Sequence, residues 1–332
     1  MDRNQQAATT KGLSRRGFGA AARTLFALLR AEHIPTVLSN CVAGWWLGGG
    51  GNTNQLLFVF SGATLMFAGG ALLNDAFDIG FDRLHRRGRP IPSGNAGLRA
   101  VWRAGLLFLL LATFALQWPG RVAGGIGMAL AFAVVLHNST HRWLPLSPAL
   151  PGACRLLLYL MGASVASRGV TGAAVWGGVA VAAYVSGLEF LRRTDGQKNA
   201  AAWLAVLLIA PVALALWMNT GAYLVSAMLL GALVLSWAAL SWAAIPKGAG
   251  LNLFVPGIVL VDMLAVCPAP LSAYAAKPSA QAELCLLFGA LFAGAAVLAL
   301  LHSWLTGGQQ TPRAHRRVQG TLELTPGSAR KN

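Results

Sequence analysis

A membrane-spanning helix needs about 20 predominantly apolar residues, and runs of that kind follow one another along this chain almost without pause. They extend approximately over 25–47, 55–76, 101–118, 122–136, 150–166, 173–191, 200–218, 222–244, 251–266 and 282–305. No strict alternation of polar and apolar residues accompanies them, so helices rather than a barrel are expected. With 56% of its 332 residues hydrophobic and 11% charged, the chain leaves little material for a separate soluble domain. The expectation is an all-α polytopic membrane protein. Its membrane domain covers 24–305, between a basic cytoplasmic tail at 1–23 and a basic, disordered tail at 306–332.

The formal charge is +16, but Lys and Arg sit in short links between apolar runs rather than on one surface, which excludes nucleic acid as a main partner and leaves contact with membrane lipid headgroups. Links rich in basic residues alternate with nearly uncharged ones. The basic set includes the N-terminal tail, the 82–103 link, His141–Arg142, the 192–198 link and Lys247, which sets these at the cytoplasmic side. The ninth run is short and carries Pro256 and Asp262, so the count is nine or ten. Ten returns Arg313, Arg316 and Arg317 to the cytoplasm, in keeping with the charge rule, and a bacterial inner membrane is the expected location. The string Ser14–Arg15–Arg16–Gly17–Phe18 is similar to a twin-arginine export signal, but basic residues ahead of a first span are expected in any case. Cys41, Cys154, Cys267 and Cys285 show no metal-ligand spacing and are expected as buried thiols.

Three of the ten acidic residues lie together in Asn74–Asp75–Ala76–Phe77–Asp78–Ile79–Gly80–Phe81–Asp82–Arg83, directly after the second apolar run. On a helix, Asp75, Asp78 and Asp82 fall within an arc of roughly 60°. Clustered carboxylates need a cation to share them, and Mg²⁺ is commonly held by one or two carboxylates plus the oxygens of a substrate phosphate. Arginines just downstream could take further phosphate charge through fork-shaped hydrogen bonds. The alternative is a solvated charged helix end.

The pattern N-D-x-x-D-x-x-x-D, filled by Asn74, Asp75, Asp78 and Asp82, and the R-P-x-x-x-G that follows as Arg89–Pro90–Ile91–Pro92–Ser93–Gly94, resemble the first signature of the UbiA superfamily of intramembrane prenyltransferases. The resemblance covers roughly 25–270. It implies a ring of nine transmembrane helices around a cavity, here with a tenth at the C-terminus, and transfer of a prenyl group from a prenyl diphosphate to a lipophilic, possibly aromatic acceptor. It also implies Mg²⁺ held by Asn74, Asp75, Asp78 and Asp82. Arg89 and Arg142 are the candidates for stabilising charge on the leaving diphosphate. Where the family often has a Tyr and a Lys after the fourth span, this chain has His137 and Arg142.

The departure is in the second signature. The family ends its sixth span with another aspartate set, and here the segment Tyr184–Lys198 offers Glu189, Arg193, Asp195 and Lys198 as substrate-binding candidates instead. Glu189 and Asp195 are about 120° apart on a helix, and Arg193 and Lys198 stand at helical spacing to pair with them. Together with Cys154–Arg155 and the segment Ile34–Cys41, this is similar to the EboC-type branch of the superfamily. A second reading keeps the fold without the chemistry, as a component that binds or carries an isoprenoid or other lipophilic metabolite. Asn40, Arg155 and Asp262 lie inside apolar runs, where a charge faces a cavity, a partner or an ion pair between helices. Phe77 and Phe81 sit between the aspartates.

Overall fold

The apolar runs form helices in a computed structural model that describes residues 21–193, 198–219, 222–244, 251–268 and 278–306. Nearly all of both expected tails, Asp195 and Lys247 therefore lie outside the described residues, and of Lys198 only the backbone is described. The helices are α1 (21–29), α2 (Ile34–Leu47), α3 (Thr53–Phe77), α4 (Ile79–His85), α5 (Leu98–Ala115) and α6 (Arg121–Thr140). After these come α7 (Ala149–Ser164), α8 (Gly172–Arg193), α9 (Lys198–Met218), α10 (Ala222–Ala244), α11 (Gly257–Val266) and α12 (Pro278–Thr306). Among the described residues six helices are long and apolar enough to cross a membrane, the last at Ala282–Leu305, and three shorter apolar ones accompany them. Large apolar side chains such as Leu110, Phe114, Leu286 and Trp304 point outward, as lipid-facing surface does.

The first expected span is not one helix. Arg30 has φ 47° and ψ 52°, a left-handed conformation that costs an L-residue roughly 1–2 kcal/mol. A short 3₁₀ turn, Ala31–His33, follows, and α2 restarts with Pro35 in its first turn, where a missing N–H is harmless. The break turns Arg30 toward the end of α3. The ninth span is also shortened, since a 3₁₀ turn at Leu251–Phe254 precedes α11 and Pro256 is its N-cap.

Successive helices pack on one another, and α11 and α12 return to α2. Two contacts set the site. A Cβ on Gly44 would lie 2.0 Å from the Tyr159 carbonyl oxygen, and one on Gly162 would lie 2.1 Å from that of Cys41. Their absence lets α2 and α7 meet backbone to backbone, as small residues do in membrane bundles. Gly69 does the same for α3 against α5, its missing Cβ falling 2.9 Å from the Gly105 carbonyl oxygen. Cys267 and Cys285 are not isolated thiols, since their Sγ atoms lie 3.3 Å apart between α11 and α12.

Candidate active site

The three aspartates straddle a helix junction rather than one helix face. Asp75 ends α3, Asp78 is the cap shared by α3 and α4, and Asp82 lies in the first turn of α4. Backbone bonds still run from Asp78 N to Asn74 O at 3.0 Å and from Asp82 N to Asp78 O at 2.9 Å, so the acids stay on one side as the spacing predicts. All three are buried. Burial of three carboxylates requires cations, because an unpaired buried charge costs several kcal/mol.

The cations come from three other segments. Arg30 reaches Asp75 at 3.3 Å and also donates to the Asn74 side-chain oxygen. Arg89 Nη1 joins two carboxylates, lying 3.3 Å from Asp75 Oδ1 and 3.0 Å from Asp82 Oδ2. Arg142 Nη2 lies 2.7 Å from Asp78 Oδ1, and His141 Nε2 lies 3.0 Å from the same oxygen. The Arg142 guanidinium also sits 5.1 Å above the Phe81 ring, within cation–π range, whereas Phe77 packs edge-on against Trp102.

The R-P-x-x-x-G segment explains how Arg89 gets there. Gly94 has φ +80°, which a side chain would resist, and Ala96 N donates to Pro90 O at 3.0 Å. The resulting closed loop buries Ile91 among Leu28, Leu72, Ala76 and Val101. With the loop anchored, Arg89 is aimed back at the carboxylates.

Burial works to raise the Asp78 carboxyl, but the hydrogen bond and charge of His141 and the charge of Arg142 outweigh it and leave Asp78 below the usual carboxylate range. The hydrogen bond to Asp78 in turn raises His141 above the usual imidazole value. Asp82 is raised, by burial first, with Arg89 offsetting part of it. Its Oδ1 is buried with no hydrogen-bond partner among the described residues.

Beside Asn74 and Arg30 opens a cavity of about 190 Å³. Its walls are apolar, with Met66, Phe67, Leu130, Leu158, Leu188 and Ile258. Glu189 and Arg192 of α8 also line it and pair with each other at 2.5 Å. The helical pairing of Glu189 with Arg193 does not form. Arg193 turns instead to the α6–α7 loop, donating to Leu144 O at 2.7 Å, Pro145 O at 3.3 Å and Ser147 Oγ at 3.1 Å. Of the residues singled out in the sequence, Asn74, Asp75, Asp78, Asp82, Arg89 and Arg142 come together, Glu189 faces the cavity, and Arg193 does not. Three residues were missed. Arg30, a charge inside an apolar run, carried a signal, Arg192 stood beside the expected partner of Glu189, and His141 carried only its place beside Arg142.

Asp262 is fully buried and makes no direct ion pair among the described residues. It accepts from the Ser39 hydroxyl, from Tyr159 Oη at 2.6 Å, and from Asn40 Nδ2 at 2.7 and 3.0 Å. Arg155 Nη1 donates to Asn40 Oδ1 at 2.9 Å.

The chain resembles known proteins in sequence and in fold. A protoheme IX farnesyltransferase of Synechocystis is 33% identical over 114 residues, 32% of this chain and 36% of that protein. A digeranylgeranylglyceryl phosphate synthase of Ignicoccus hospitalis is 27% identical over 156 residues, 47% of this chain and 49% of that protein. The chain thus matches half or less of the length of these relatives. The apo structure of a UbiA homologue from Aeropyrum pernix K1 shares the fold, with a TM-score of 0.59 at 19% identity over 71% of this chain and 97% of that one. The family model of the UbiA prenyltransferases matches residues 35–262, well over half of the sequence, and this multi-pass membrane protein belongs to the UbiA prenyltransferase family.

Proposed function

We propose that this protein transfers a prenyl group from a prenyl diphosphate to a lipophilic acceptor, with Mg²⁺ as its metal and the reaction at the cytoplasmic face of a bacterial inner membrane. The observation that carries this reading is the junction of a charged shell with an apolar cavity at Asn74 and Arg30. A molecule with a diphosphate head and a hydrocarbon tail matches both parts. The names of the relatives, a farnesyltransferase and a digeranylgeranylglyceryl phosphate synthase, support prenyl chemistry. Arg89, Arg142 and Arg192 at these helix ends support the cytoplasmic placement.

The donor set fits a hard divalent cation. Asn74, Asp75, Asp78 and Asp82 offer oxygen ligands, and Oδ1 of Asp82, buried with no hydrogen-bond partner among the described residues, is an acceptor suited to a cation. Among the described residues no three acidic, imidazole or thiol groups form a ready cage, so this reading requires that substrate phosphate oxygens complete the shell of the ion. When bound, the metal would act as a Lewis acid on the departing diphosphate. Arg30, Arg89 and Arg142 would hold the same head through charge-assisted hydrogen bonds. As the carbon–oxygen bond to the diphosphate breaks, the allylic cation forms against walls such as Phe67 and Leu158, which exclude water and leave it to the acceptor. Glu189, Asp195 and Lys198 belong to the substrate side of this reading, and Arg193 serves it by holding the loop that follows Arg142.

The test uses detergent-purified protein, Mg²⁺, labelled geranyl diphosphate and membrane extract. Labelled lipid and free diphosphate are expected, and both disappear with Asp75→Ala. Folded wild-type protein that releases no diphosphate overturns the proposal. The pairing of Glu189 with Arg192 favours a second reading, binding of an isoprenoid without turnover. That reading requires geranyl diphosphate binding that persists without Mg²⁺ and in Asp78→Asn, and loss of both removes it.

A further inference from the structure

The two ends of α11 lie at opposite faces of the bundle. Val255 and Ile258, around its start, line the cavity beside Asn74 and Arg30. Ala265 and Val266, at its other end, share a second cavity with Leu47 and Gly49 at the far end of α2. Cys267 caps that end of α11, on the side away from the aspartates. The next helix, α12, runs back. Near its last turn the His302 Nδ1 lies 3.2 Å from Glu32, and the His302 ring is 6.3 Å from that of Phe26, at the break that carries Arg30. Cys285 belongs to the first turns of α12, about 5 Å along the helix from Ala282, where the apolar span begins.

Little packing holds the start of α12. Leu284 and Phe288 are buried there, whereas Leu286 and Leu287 are exposed. Helices in lipid gain no hydrophobic drive to associate, so a covalent tie adds what this packing does not supply. The Sγ atoms of Cys267 and Cys285 are 3.3 Å apart, about 1.3 Å beyond the length of a disulfide bond. Cys267 is buried and Cys285 half-buried. Cys154 lies apart from them on the wall of the central cavity, and Cys41 in the contact of α2 with α7.

We infer that Cys267 and Cys285 are a modification site, oxidised to a disulfide at the non-cytoplasmic face, and that this bond fastens α12 to α11. The inference rests on the cytoplasmic placement of the aspartates proposed above and is independent of prenyl transfer. Protein disulfides form and persist in the compartment on the other side of a bacterial inner membrane. The oxidant is a disulfide-bonded thiol oxidase of that compartment. The thiolate of Cys285, the more accessible of the two, attacks one sulfur of the oxidase disulfide, and the other sulfur of the oxidase leaves as a thiolate. The Cys267 thiolate then attacks Cys285 Sγ in this mixed disulfide. The Sγ–Sγ bond forms as the bond to the oxidase breaks. The oxidase departs as a dithiol, having taken two electrons, and the two protons lost by the cysteines balance its two thiols.

The test expresses the full chain in a bacterial host, quenches the cells with acid and blocks every thiol of the denatured protein with N-ethylmaleimide. The protein is then reduced, and the thiols released are tagged with maleimide-polyethylene glycol and counted by gel shift. Two tags per chain are expected for wild type and for Cys154→Ala, and none for Cys267→Ser or Cys285→Ser. In a host lacking the thiol oxidase the tagged fraction of wild type is expected to fall severalfold. A wild type that takes no tag overturns the inference, as does tagging that persists in Cys267→Ser or vanishes in Cys154→Ala. For the fastening of α12, reductant is expected to lower the melting temperature of purified wild type by about 5 °C or more and to leave Cys267→Ser unchanged. Equal shifts in both overturn it. Ser93→Cys, on the exposed Arg89 loop, placed in the Cys267→Ser/Cys285→Ser background, tests the placement separately. A membrane-impermeant maleimide is expected to label it only after lysis. Labelling in intact cells overturns the cytoplasmic placement and with it the inference, whereas protection in intact cells with no disulfide in wild type overturns the inference alone.

Discussion

At the junction of α3 and α4 the carboxylates draw their cations from outside their own helices, from Arg30, Arg142 and the Arg89 loop, whereas at the end of α8 Glu189 is satisfied three residues on in the same helix, by Arg192. The difference is one of reach. A pair within one helical turn contributes about 0.2–0.5 kcal/mol and fixes nothing beyond that turn. Pairs between different segments, each with its carboxylate buried, tie the α1–α2 break, the Arg89 loop and the end of α6 to one point. Losing a partner there strands a buried charge, at roughly 3–5 kcal/mol when burial is complete. The two helix ends of this cavity therefore carry acids of very different consequence.

The largest effect is expected at Asp78, whose Oδ1 is shared by Arg142 and His141. Asp78→Ala should lower diphosphate release by about 10²–10³-fold, the scale of one lost group stabilising a leaving anion, as followed by labelled geranyl diphosphate turnover. A loss below tenfold would erase the distinction between the two ends. Next comes Arg89→Leu. Because the Arg89 side chain is 29% exposed, the loss should fall below that of a fully buried pair, at about 2–3 kcal/mol, seen as a lower melting temperature in detergent. Restoration by Arg89→Lys should be incomplete, since one ammonium cannot reproduce the planar fork.

A smaller effect is expected from Gly94→Ala, which forces a side chain into φ +80°. It should cost roughly 1–3 kcal/mol and loosen Arg89 from Asp75 and Asp82. If thermal stability and turnover both stay at wild-type levels, the loop does not aim Arg89. The smallest effect belongs to Glu189→Gln. Its pair with Arg192 is partly exposed, so stability should change by less than about 1 kcal/mol, measured by the same melting assay. A change larger than that of Arg89→Leu would invert the comparison.

Much of the first end was legible beforehand. The spacing of Asp75, Asp78 and Asp82 and the Arg89–Gly94 pattern are local features, and local features survive in sequence. The helical character of the apolar runs was legible for a similar reason, since a backbone crossing lipid must satisfy its own hydrogen bonds. The second end was read less well, because Arg192 and Arg193 both stand at helical spacing from Glu189 and sequence alone does not choose between i,i+3 and i,i+4. The choice followed from the α6–α7 loop, whose carbonyls take Arg193 away.

What the sequence determined by itself is the material: a chain of apolar helices, one complete acidic motif at a helix end, and charges at Arg155 and Asp262 that needed partners. Only the tertiary structure decided which partners. Arg30 meets Asn74 and Asp75 because a left-handed residue breaks the first span. Asn40 meets Arg155 and Asp262 because Gly44 and Gly162 let α2 and α7 touch. Both outcomes join residues more than forty positions apart, and such contacts depend on helix approach and rotation, which no periodicity along the chain encodes.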